Sequence, residues 1–219
     1  MQYNNRKANL VFSYKGENTM AFEKVVLFDG TSLDGWTKKK DGSPAEWIIG
    51  EDGAMTVNNG DIVSAETFKD AHIHVEFWLP YMPEAKGQGR ANSGVYVHGC
   101  YEVQVLDSYG LETLQTNDCA GIYKQHKPMV NANKKPEEWQ TYDIYFRAPR
   151  YNEEGEIIED ARMTVIFNGI CVHNNIVLPA ATPGGVNPDR VPEGPLMLQD
   201  HHNPVRYRNV WFERLEQLV

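Results

Sequence analysis

Alternation of apolar and polar residues predicts β-strands along most of the chain, since successive side chains of a strand point to opposite faces. The segment 71–80, AHIHVEFWLP, alternates at every position from His72 to Leu79. One predicted face consists of Ile73, Val75, Phe77 and Leu79, and the opposite face consists of His72, His74, Glu76 and Trp78. The first face is expected to pack in the core and the second to point away from it.

The same pattern recurs in four further segments. Residues 93–108 (SGVYVHGCYEVQVLDS) predict two strands, and residues 139–150 (WQTYDIYFRAPR) predict another. Residues 161–175 (ARMTVIFNGICVHNN) predict a hairpin, because an Asn-Gly pair is a strong signal for a two-residue turn. Residues 194–215 (GPLMLQDHHNPVRYRNVWFERL) predict the two final strands.

Helical periodicity is almost absent, and Gly, Pro and Asn separate the predicted strands. Many short strands with turn signals between them are typical of a β-sandwich. Two long stretches without periodicity, residues 80–92 and 179–195, predict loops, and long loops in a compact domain often have a function. The pattern predicts an all-β protein with one domain and no linker.

Composition excludes two classes of partner. The 219-residue chain has a net charge of −9 and no basic run longer than Lys38 to Lys40, whereas nucleic-acid binding needs a surface that neutralises phosphates. No window approaches the roughly 20 apolar residues that a membrane-spanning helix requires. We therefore expect neither a nucleic-acid partner nor a membrane span. The aromatic share of 11% suits both strands and sugar-stacking surfaces.

The first twenty residues contain an Arg-Lys pair but no apolar stretch typical of a signal peptide. We expect a periplasmic or extracellular protein if a signal peptide was removed, and a cytoplasmic protein otherwise. Three cysteines, Cys100, Cys119 and Cys171, lack the spacing of a metal site. Their odd number favours free, mostly buried thiols, and a disulfide between Cys100 and Cys119 is the alternative in an oxidising compartment.

The polar positions of the predicted strands are rich in residue types that bind ligands. If these strands lie in one sheet, their outward side chains converge on one face. An ordinary solvated surface is the alternative for any single residue, but such surfaces are usually rich in Lys, Thr and Ser. The composition therefore favours a binding face. Its candidate members are His74, Glu76, Trp78, Tyr96, His98, Glu102, Gln104, Gln199, His201, Arg206 and Arg208.

Two further segments have polar residues of interest. Lys124 and His126 lie on the same side of the extended stretch IYKQHKP, which predicts either a cationic rim for an anionic intermediate or a solvated loop. Asp107 ends a strand just before Ser108, which indicates a turn-capping role rather than chemistry.

Seven segments, taken together, are specific enough to suggest a family. They resemble the 3-keto-disaccharide hydrolase family, with one departure at Cys100, where relatives commonly have a basic or polar residue. The resemblance covers residues 25–219 as a single domain and leaves residues 1–24 as an N-terminal extension or edge strand. The segments are LFDGTSLDGW (27–36), NSGVYVHG (92–99), YEVQVLDS (101–108), GIYKQHKP (121–128), KKPEEWQTYDIYFRAPR (134–150), FNGICVHNN (167–175) and GPLMLQDHHNPVRYRNVWFERL (194–215).

The resemblance implies a concanavalin-A-like jelly-roll β-sandwich of two antiparallel sheets. It also implies an enzyme that cleaves glycosides whose glucose ring is oxidised to a ketone at carbon 3, with a small carbohydrate as substrate. The ketone acidifies the hydrogen on carbon 2, so a base can remove it, the substituent on carbon 1 can leave by elimination, and water can add afterwards. Members of the family are mostly bacterial and often exported.

Such a reaction needs a base, donors for the developing oxyanion and an acid for the leaving group. We expect Glu102 or His201 to be the base, and Glu76 to act as the acid or to orient the sugar. No cofactor is required, and a divalent cation is an alternative to the donors. The expected donors and substrate-binding residues are Gln104, Lys124, Arg206, Trp78, Tyr96, His98, His126 and Gln199.

Two other functions suit the same fold. A non-catalytic, lectin-like carbohydrate-binding module would use a similar aromatic and amide face, but it needs no acid/base group with a shifted pKa. An endo-acting β-glucanase needs two carboxylates about 5–9 Å apart across a cleft. Gln104 argues against the second function, because an amide can be neither nucleophile nor acid.

Overall fold

The computed structural model describes residues 23–215. Most of the predicted N-terminal segment 1–24 therefore lies outside the described residues. The strands are β1 (Lys24–Phe28), β2 (Trp36–Lys38), β3 (Ile48–Ile49), β4 (Met55–Thr56), β5 (Ile62–Phe68), β6 (Ala71–Trp78), β7 (Ser93–Val97), β8 (Tyr101–Val105), β9 (Trp139–Arg147), β10 (Arg150–Tyr151), β11 (Ile157–Glu159), β12 (Ala161–Phe167), β13 (Ile170–Leu178), β14 (Gly194–Leu198) and β15 (Arg206–Arg214).

Within the described part of the chain, these strands form two main antiparallel sheets. The larger has the order β13-β12-β9-β6-β15-β4-β3, with β1 paired to β15, and the smaller has the order β2-β5-β14-β7-β8. A separate ribbon joins β10 to β11. The predicted all-β sandwich is thus confirmed. Among residues 23–215, the one helical segment is a short 3-10 helix, Gly87–Gly89, in the predicted loop 80–92, and no helix in this range could span a membrane.

Alternation places the core where the sequence predicts it. In β6, every second side chain is buried, beginning at Ala71, whereas the intervening side chains are half-buried. In β7 and β8, by contrast, all positions are buried. Their outward side chains are covered because loops lie over the outer face of the smaller sheet, and this cover creates a cavity there.

The expectation that the polar side chains share one face is wrong. Strands β6 and β15 belong to the larger sheet, whereas β7, β8 and β14 belong to the smaller one. Alternation determines which side of its own sheet a residue faces, but it does not determine which of two sheets a strand joins. The outward polar residues are therefore divided between two opposite surfaces of the sandwich.

The three cysteines are free thiols. Cys100 and Cys119 are buried, whereas Cys171 is exposed. Burial raises the pKa of the Cys100 thiol to about 12 and that of the Cys119 thiol to about 11. The structure therefore has the predicted free thiols rather than the alternative disulfide between Cys100 and Cys119, and both of these thiols stay protonated at neutral pH.

Candidate active site

A cavity of about 280 Å³ lies over the outer face of β7 and β8. Its size is near the lower end of small-molecule sites, which begin at about 300 Å³. Both long loops expected to have a function contribute to its walls. The lining residues are Gln88, Asn92, Tyr96, Glu102, Gln104, Tyr123, Lys124, Pro183, Gly184, Gln199 and His201.

Six of the predicted site residues meet in this cavity. They come together because β8 pairs with β7 and β7 pairs with β14, and just after β14 the Gln199 N–H still donates to the Gly94 carbonyl oxygen of β7 at 3.0 Å. Their outward positions therefore lie on one surface, as alternation within neighbouring strands requires. The six are Tyr96, Glu102, Gln104, Lys124, Gln199 and His201.

Glu102 is the buried acid of the cavity, with only 3% of its surface exposed. It lies opposite Tyr96 in the ladder between β7 and β8, and the Tyr96 hydroxyl donates a 3.0 Å hydrogen bond to Oε2. The carboxyl extends across Gly94 of the neighbouring strand, since a Cβ atom at that position would lie 2.5 Å from Oε1. Glycine at position 94 is therefore what allows the carboxyl to occupy this place.

The environment of Glu102 suits proton transfer near neutral pH. Burial raises its pKa to about 7, the hydrogen bond from Tyr96 lowers it, and the negative charge of Asp61 raises it. Both protonation states are therefore populated at pH 7. A general base works best when its pKa lies close to the working pH.

Tyr96 acts as a fixed donor to this carboxyl. Burial raises the pKa of Tyr96 well above its usual range, and the charge of Glu102 raises it further. The hydroxyl therefore keeps its single proton at neutral pH. Its acceptors are Glu102 Oε2 and, at 3.1 Å, the Pro183 carbonyl oxygen. Gln199 Nε2 donates to the Tyr96 oxygen at 3.4 Å, so that Gln199, Tyr96 and Glu102 form one chain of hydrogen bonds.

Amide side chains form one wall of the cavity. Gln104 accepts a 3.0 Å hydrogen bond from the Val105 backbone N–H and donates a 3.2 Å bond to Gln88 Oε1. Gln88 donates in turn to the Asn117 carbonyl oxygen at 2.8 Å. Gln104 is thus bonded on both sides of its amide to protein groups, and it positions Gln88.

Sequence reasoning missed the other five lining residues, Gln88, Asn92, Tyr123, Pro183 and Gly184. The signal for the first two was their location in the loop 80–92, which the sequence marks as a candidate functional loop. Alternation cannot identify individual loop residues, because it applies only to extended strands. Tyr123 adjoins the predicted Lys124, and its backbone N–H donates to the Glu102 carbonyl oxygen at 3.2 Å.

Lys124 reaches the cavity from a segment that runs beside β8. The Gln104 N–H donates to the Gly121 carbonyl oxygen at 2.9 Å, which holds this segment against the strand. Lys124 itself has a φ of 63°, in the left-handed region that lysine rarely adopts. Strained backbone of this kind concentrates at functional sites. His201 lies at the rim of the cavity and is exposed.

Five members of the predicted binding face lie on the other sheet, away from the cavity: His74, Glu76, Trp78, Arg206 and Arg208. Arg208 Nε forms a 2.6 Å ion pair with Glu76 Oε2. Arg206 pairs with Asp52 at 2.5 Å, and its guanidinium lies 5.6 Å from the centre of the Trp78 ring. Glu76, Trp78 and Arg206 therefore belong to a network on the outer face of the larger sheet and do not meet Glu102.

Two predicted histidines also point elsewhere. β7 ends at Val97, and His98 follows it in the left-handed region with a φ of 54°. This turn breaks the alternation, so the His98 ring is buried and bonds the Lys69 carbonyl oxygen at 3.0 Å through Nε2. His126 Nε2 bonds the Val177 carbonyl oxygen at 2.8 Å. Neither ring lines the cavity.

Among the described residues, the cavity contains neither a cluster of metal-binding side chains nor a pair of carboxylates. Within residues 23–215, no group of three or more His, Cys, Asp and Glu side chains is arranged to hold a metal ion. Among the residues that line the cavity in this part of the chain, Glu102 is the only carboxylic acid. The two facing carboxylates that a β-glucanase needs are therefore not found in this cavity.

A larger hollow of about 390 Å³ lies at another edge of the sandwich. Its charged residues include Asp70 and Arg150, which form an ion pair at 2.5 Å. None of the predicted site residues lines it. The smaller cavity, which contains the acid with the raised pKa, is therefore the better candidate for chemistry.

Comparison with known proteins places the chain among carbohydrate-active domains. Residues 23–213 match the model of a family described as a 3-keto-alpha-glucoside-1,2-lyase-like domain. A solved structure from Parabacteroides distasonis, provisionally named a glycosyl hydrolase, is 37% identical, with a TM-score of 0.79 over 88% of this chain and 84% of its own. No curated protein matches the chain.

Two further structures from the same organism, with the same provisional name, are 19% and 18% identical. Each covers 88% of this chain, and they cover 94% and 99% of their own chains with TM-scores of 0.63 and 0.61. At this identity they show the shared fold alone. The family match and the 37% identical structure confirm the resemblance stated from the sequence.

Proposed function

Since the chain belongs to the family of 3-keto-alpha-glucoside-1,2-lyase-like domains, we propose that it cleaves 3-keto-glucosides with Glu102 as the base. The observation that carries the proposal is the buried Glu102 carboxyl, whose pKa is raised to about 7 beside a cavity of small-molecule size. A lectin-like module needs no such group. The cavity also lacks the second carboxylate of a glucanase within the described residues.

The first step is removal of the proton on carbon 2. The Glu102 carboxylate takes this proton, and the electron pair of the broken C–H bond forms an enediolate with the neighbouring ketone. The negative charge then lies on the oxygen of carbon 3. Lys124 is the cationic residue that lines the cavity, and we assign it to stabilise this oxygen, because positive charge beside a developing oxyanion lowers the cost of the anion.

The second step breaks the bond between carbon 1 and its substituent. The enediolate returns to a ketone, a double bond forms between carbons 1 and 2, and the leaving oxygen takes a proton. His201 is at the exposed rim, where the leaving group would face solvent, and we assign the acid role to it. Addition of water, with hydroxyl to carbon 1 and a proton to carbon 2, completes a net hydrolysis.

The test compares a p-nitrophenyl 3-keto-α-glucoside with the unoxidised glucoside. We expect turnover of the first substrate only, and a loss of at least about 100-fold in Glu102→Gln, as is typical when a general base is removed. Glu76→Gln is the matched control, since this glutamate lies on the other sheet. Undiminished turnover in Glu102→Gln, or equal cleavage of the unoxidised glucoside, contradicts the proposal.

Product analysis separates a lyase from a hydrolase. A lyase releases the 1,2-unsaturated 3-ketone, whereas a hydrolase releases 3-keto-glucose. In D₂O, hydration on the enzyme places deuterium on carbon 2, which NMR detects. Binding of the sugar without either product would instead indicate the lectin-like alternative.

A further inference from the structure

Lys39 lies just after β2 and reaches the loop 179–195. Its Nζ atom donates to the Gly184 carbonyl oxygen and, at 3.1 Å, to Asp61 Oδ2. Gly184 lines the cavity, whereas neither Lys39 nor Asp61 does. The ion pair is held in turn, because Asp61 Oδ1 accepts a 2.8 Å hydrogen bond from the Asp200 backbone N–H. Lys39 therefore ties the middle of the loop to the segment that follows β14.

The loop has a further anchor on each side of Gly184. The Thr182 and Asn187 backbone N–H groups both donate to carbonyl oxygens of the turn between β7 and β8, at 2.6 Å and 3.1 Å. These two bonds do not depend on Lys39. Loss of the Lys39 ammonium should therefore release only the stretch 183–186, while the rest of the loop stays attached and the protein stays folded.

This stretch contains an acceptor that competes with Glu102 for a proton. The Tyr96 hydroxyl has one proton and two acceptors for it, Glu102 Oε2 at 3.0 Å and the Pro183 carbonyl oxygen at 3.1 Å. A proton that is donated to one acceptor is lost to the other. Glycine at position 184 allows the loop to come this close, since a Cβ atom there would lie only 3.1 Å from the Tyr96 oxygen.

We propose that Lys39 is a positioning residue: it holds the Pro183 carbonyl oxygen against the Tyr96 hydroxyl, which draws the hydroxyl proton away from the base. The inference rests on the proposed function, because it takes Glu102 as that base. With the loop in place, the carboxylate receives less of the hydrogen bond that stabilises it, and it is the stronger base. With the loop released, Tyr96 donates to Glu102 alone. The loop that forms a wall of the cavity therefore also activates the base.

The experiment titrates the Glu102 carboxyl in wild type and in Lys39→Met by NMR of the carboxyl carbon, with Glu102→Gln to assign the signal. We expect a pKa of about 7 in wild type. In Lys39→Met it should fall by about 0.5 unit, because one shared hydrogen bond becomes fully available to the carboxylate. The acid limb of kcat/KM should move by the same amount.

The charge that Lys39→Met removes cannot produce this fall. Loss of a positive charge beside Asp61 disfavours the carboxylate of Glu102 and would by itself raise its pKa. The other titratable groups around Glu102 are the same in both proteins. Among the described residues, those that interact with Glu102 or line its cavity are Tyr96, Asp61, Tyr123, Lys124, His201 and Tyr207.

A double variant separates competition for the proton from exposure of the carboxyl by a loosened loop. In Tyr96→Phe there is no proton to share, so the addition of Lys39→Met should cause no fall in the Glu102 pKa. Exposure alone would lower this pKa in both backgrounds. Lys38→Met is the matched control and should leave the pKa unchanged, because the Lys38 ammonium pairs with Glu46 at 2.7 Å instead of the loop.

An unchanged or raised pKa of Glu102 in Lys39→Met overturns the inference, and so does a fall that persists in the Tyr96→Phe background. Turnover of the 3-keto-glucoside is measured separately, since the titration needs no substrate. If turnover is absent while the pKa follows the variants, the proposed function fails, and the inferred control of the Tyr96 proton by Lys39 stands.

Discussion

The Tyr96 hydroxyl donates a 3.0 Å hydrogen bond to Glu102 Oε2 across one rung of the β7–β8 ladder. This bond stabilises the carboxylate, whereas burial favours the neutral acid. The balance of the two effects sets the pKa at about 7 rather than higher. The proposed base is therefore tuned by its nearest cross-strand neighbour.

Tyr96→Phe is expected to move the pH profile of catalysis. Loss of the donor removes the effect that lowers the Glu102 pKa, so the acid limb of kcat/KM shifts from about 7 to higher pH. Activity at pH 7 falls and is largely recovered above pH 8. The measurement is a pH–rate profile of both proteins on a 3-keto-glucoside. A variant whose activity falls equally at all pH values would show that Tyr96 does not act through the carboxyl.

Glu102→Gln is expected to stabilise the protein at alkaline pH. The pKa of Glu102 is raised from an ordinary 4.5 to about 7 on folding, so the folded state binds the proton more tightly than the unfolded state. The stability contributed by this proton is therefore fully present below the ordinary pKa, and it is lost as pH rises through 7. Glu102→Gln lacks this loss, so at pH 8 its free energy of unfolding should exceed that of wild type by up to about 3 kcal/mol.

Urea denaturation at pH 4 and pH 8 measures this difference directly. The free energies of unfolding of wild type and variant should be closer at pH 4 than at pH 8. A difference that does not depend on pH would mean that the Glu102 pKa is not raised in the folded protein.

Gly94→Ala is expected to displace the Glu102 carboxyl. The added Cβ would lie 2.5 Å from Oε1 and 3.2 Å from Cδ, so the side chain must leave its position across β7. Turnover should fall at least about 10-fold, because a base outside hydrogen-bond reach of its proton is ineffective. Gly89→Ala is the control, since a Cβ there meets no atom within 4 Å. Crystal structures of both variants show whether the Glu102 carboxyl has moved. Turnover by Gly94→Ala equal to that of wild type would contradict the prediction.

Part of the site could be predicted from the sequence because it lies on one hairpin. Tyr96 and Glu102 are six residues apart in sequence and face each other in adjacent strands, so local alternation was sufficient to bring them together. Glu76 and Arg208 also face each other, but in β6 and β15 of the larger sheet. Assignment of distant strands to a sheet depends on packing of the whole chain, and the alternation of a single strand contains no information on it.

Glu76→Gln is expected to affect stability and not catalysis. Although burial raises the pKa of Glu76, hydrogen bonds from Asn209 and Arg208 lower it below its ordinary value. The carboxylate therefore contributes stability above its ordinary pKa, and this contribution is lost as pH falls. At pH 7 the free energy of unfolding of the variant should be about 1 kcal/mol lower than that of wild type, a typical value for a partly exposed ion pair. At pH 3 the difference should vanish.

The kcat/KM of Glu76→Gln on a 3-keto-glucoside should stay within about 2-fold of wild type, because the ion pair with Arg208 is on the sheet opposite the cavity. A loss of turnover comparable to that of Glu102→Gln would contradict this prediction and would show that Glu76 takes part in catalysis.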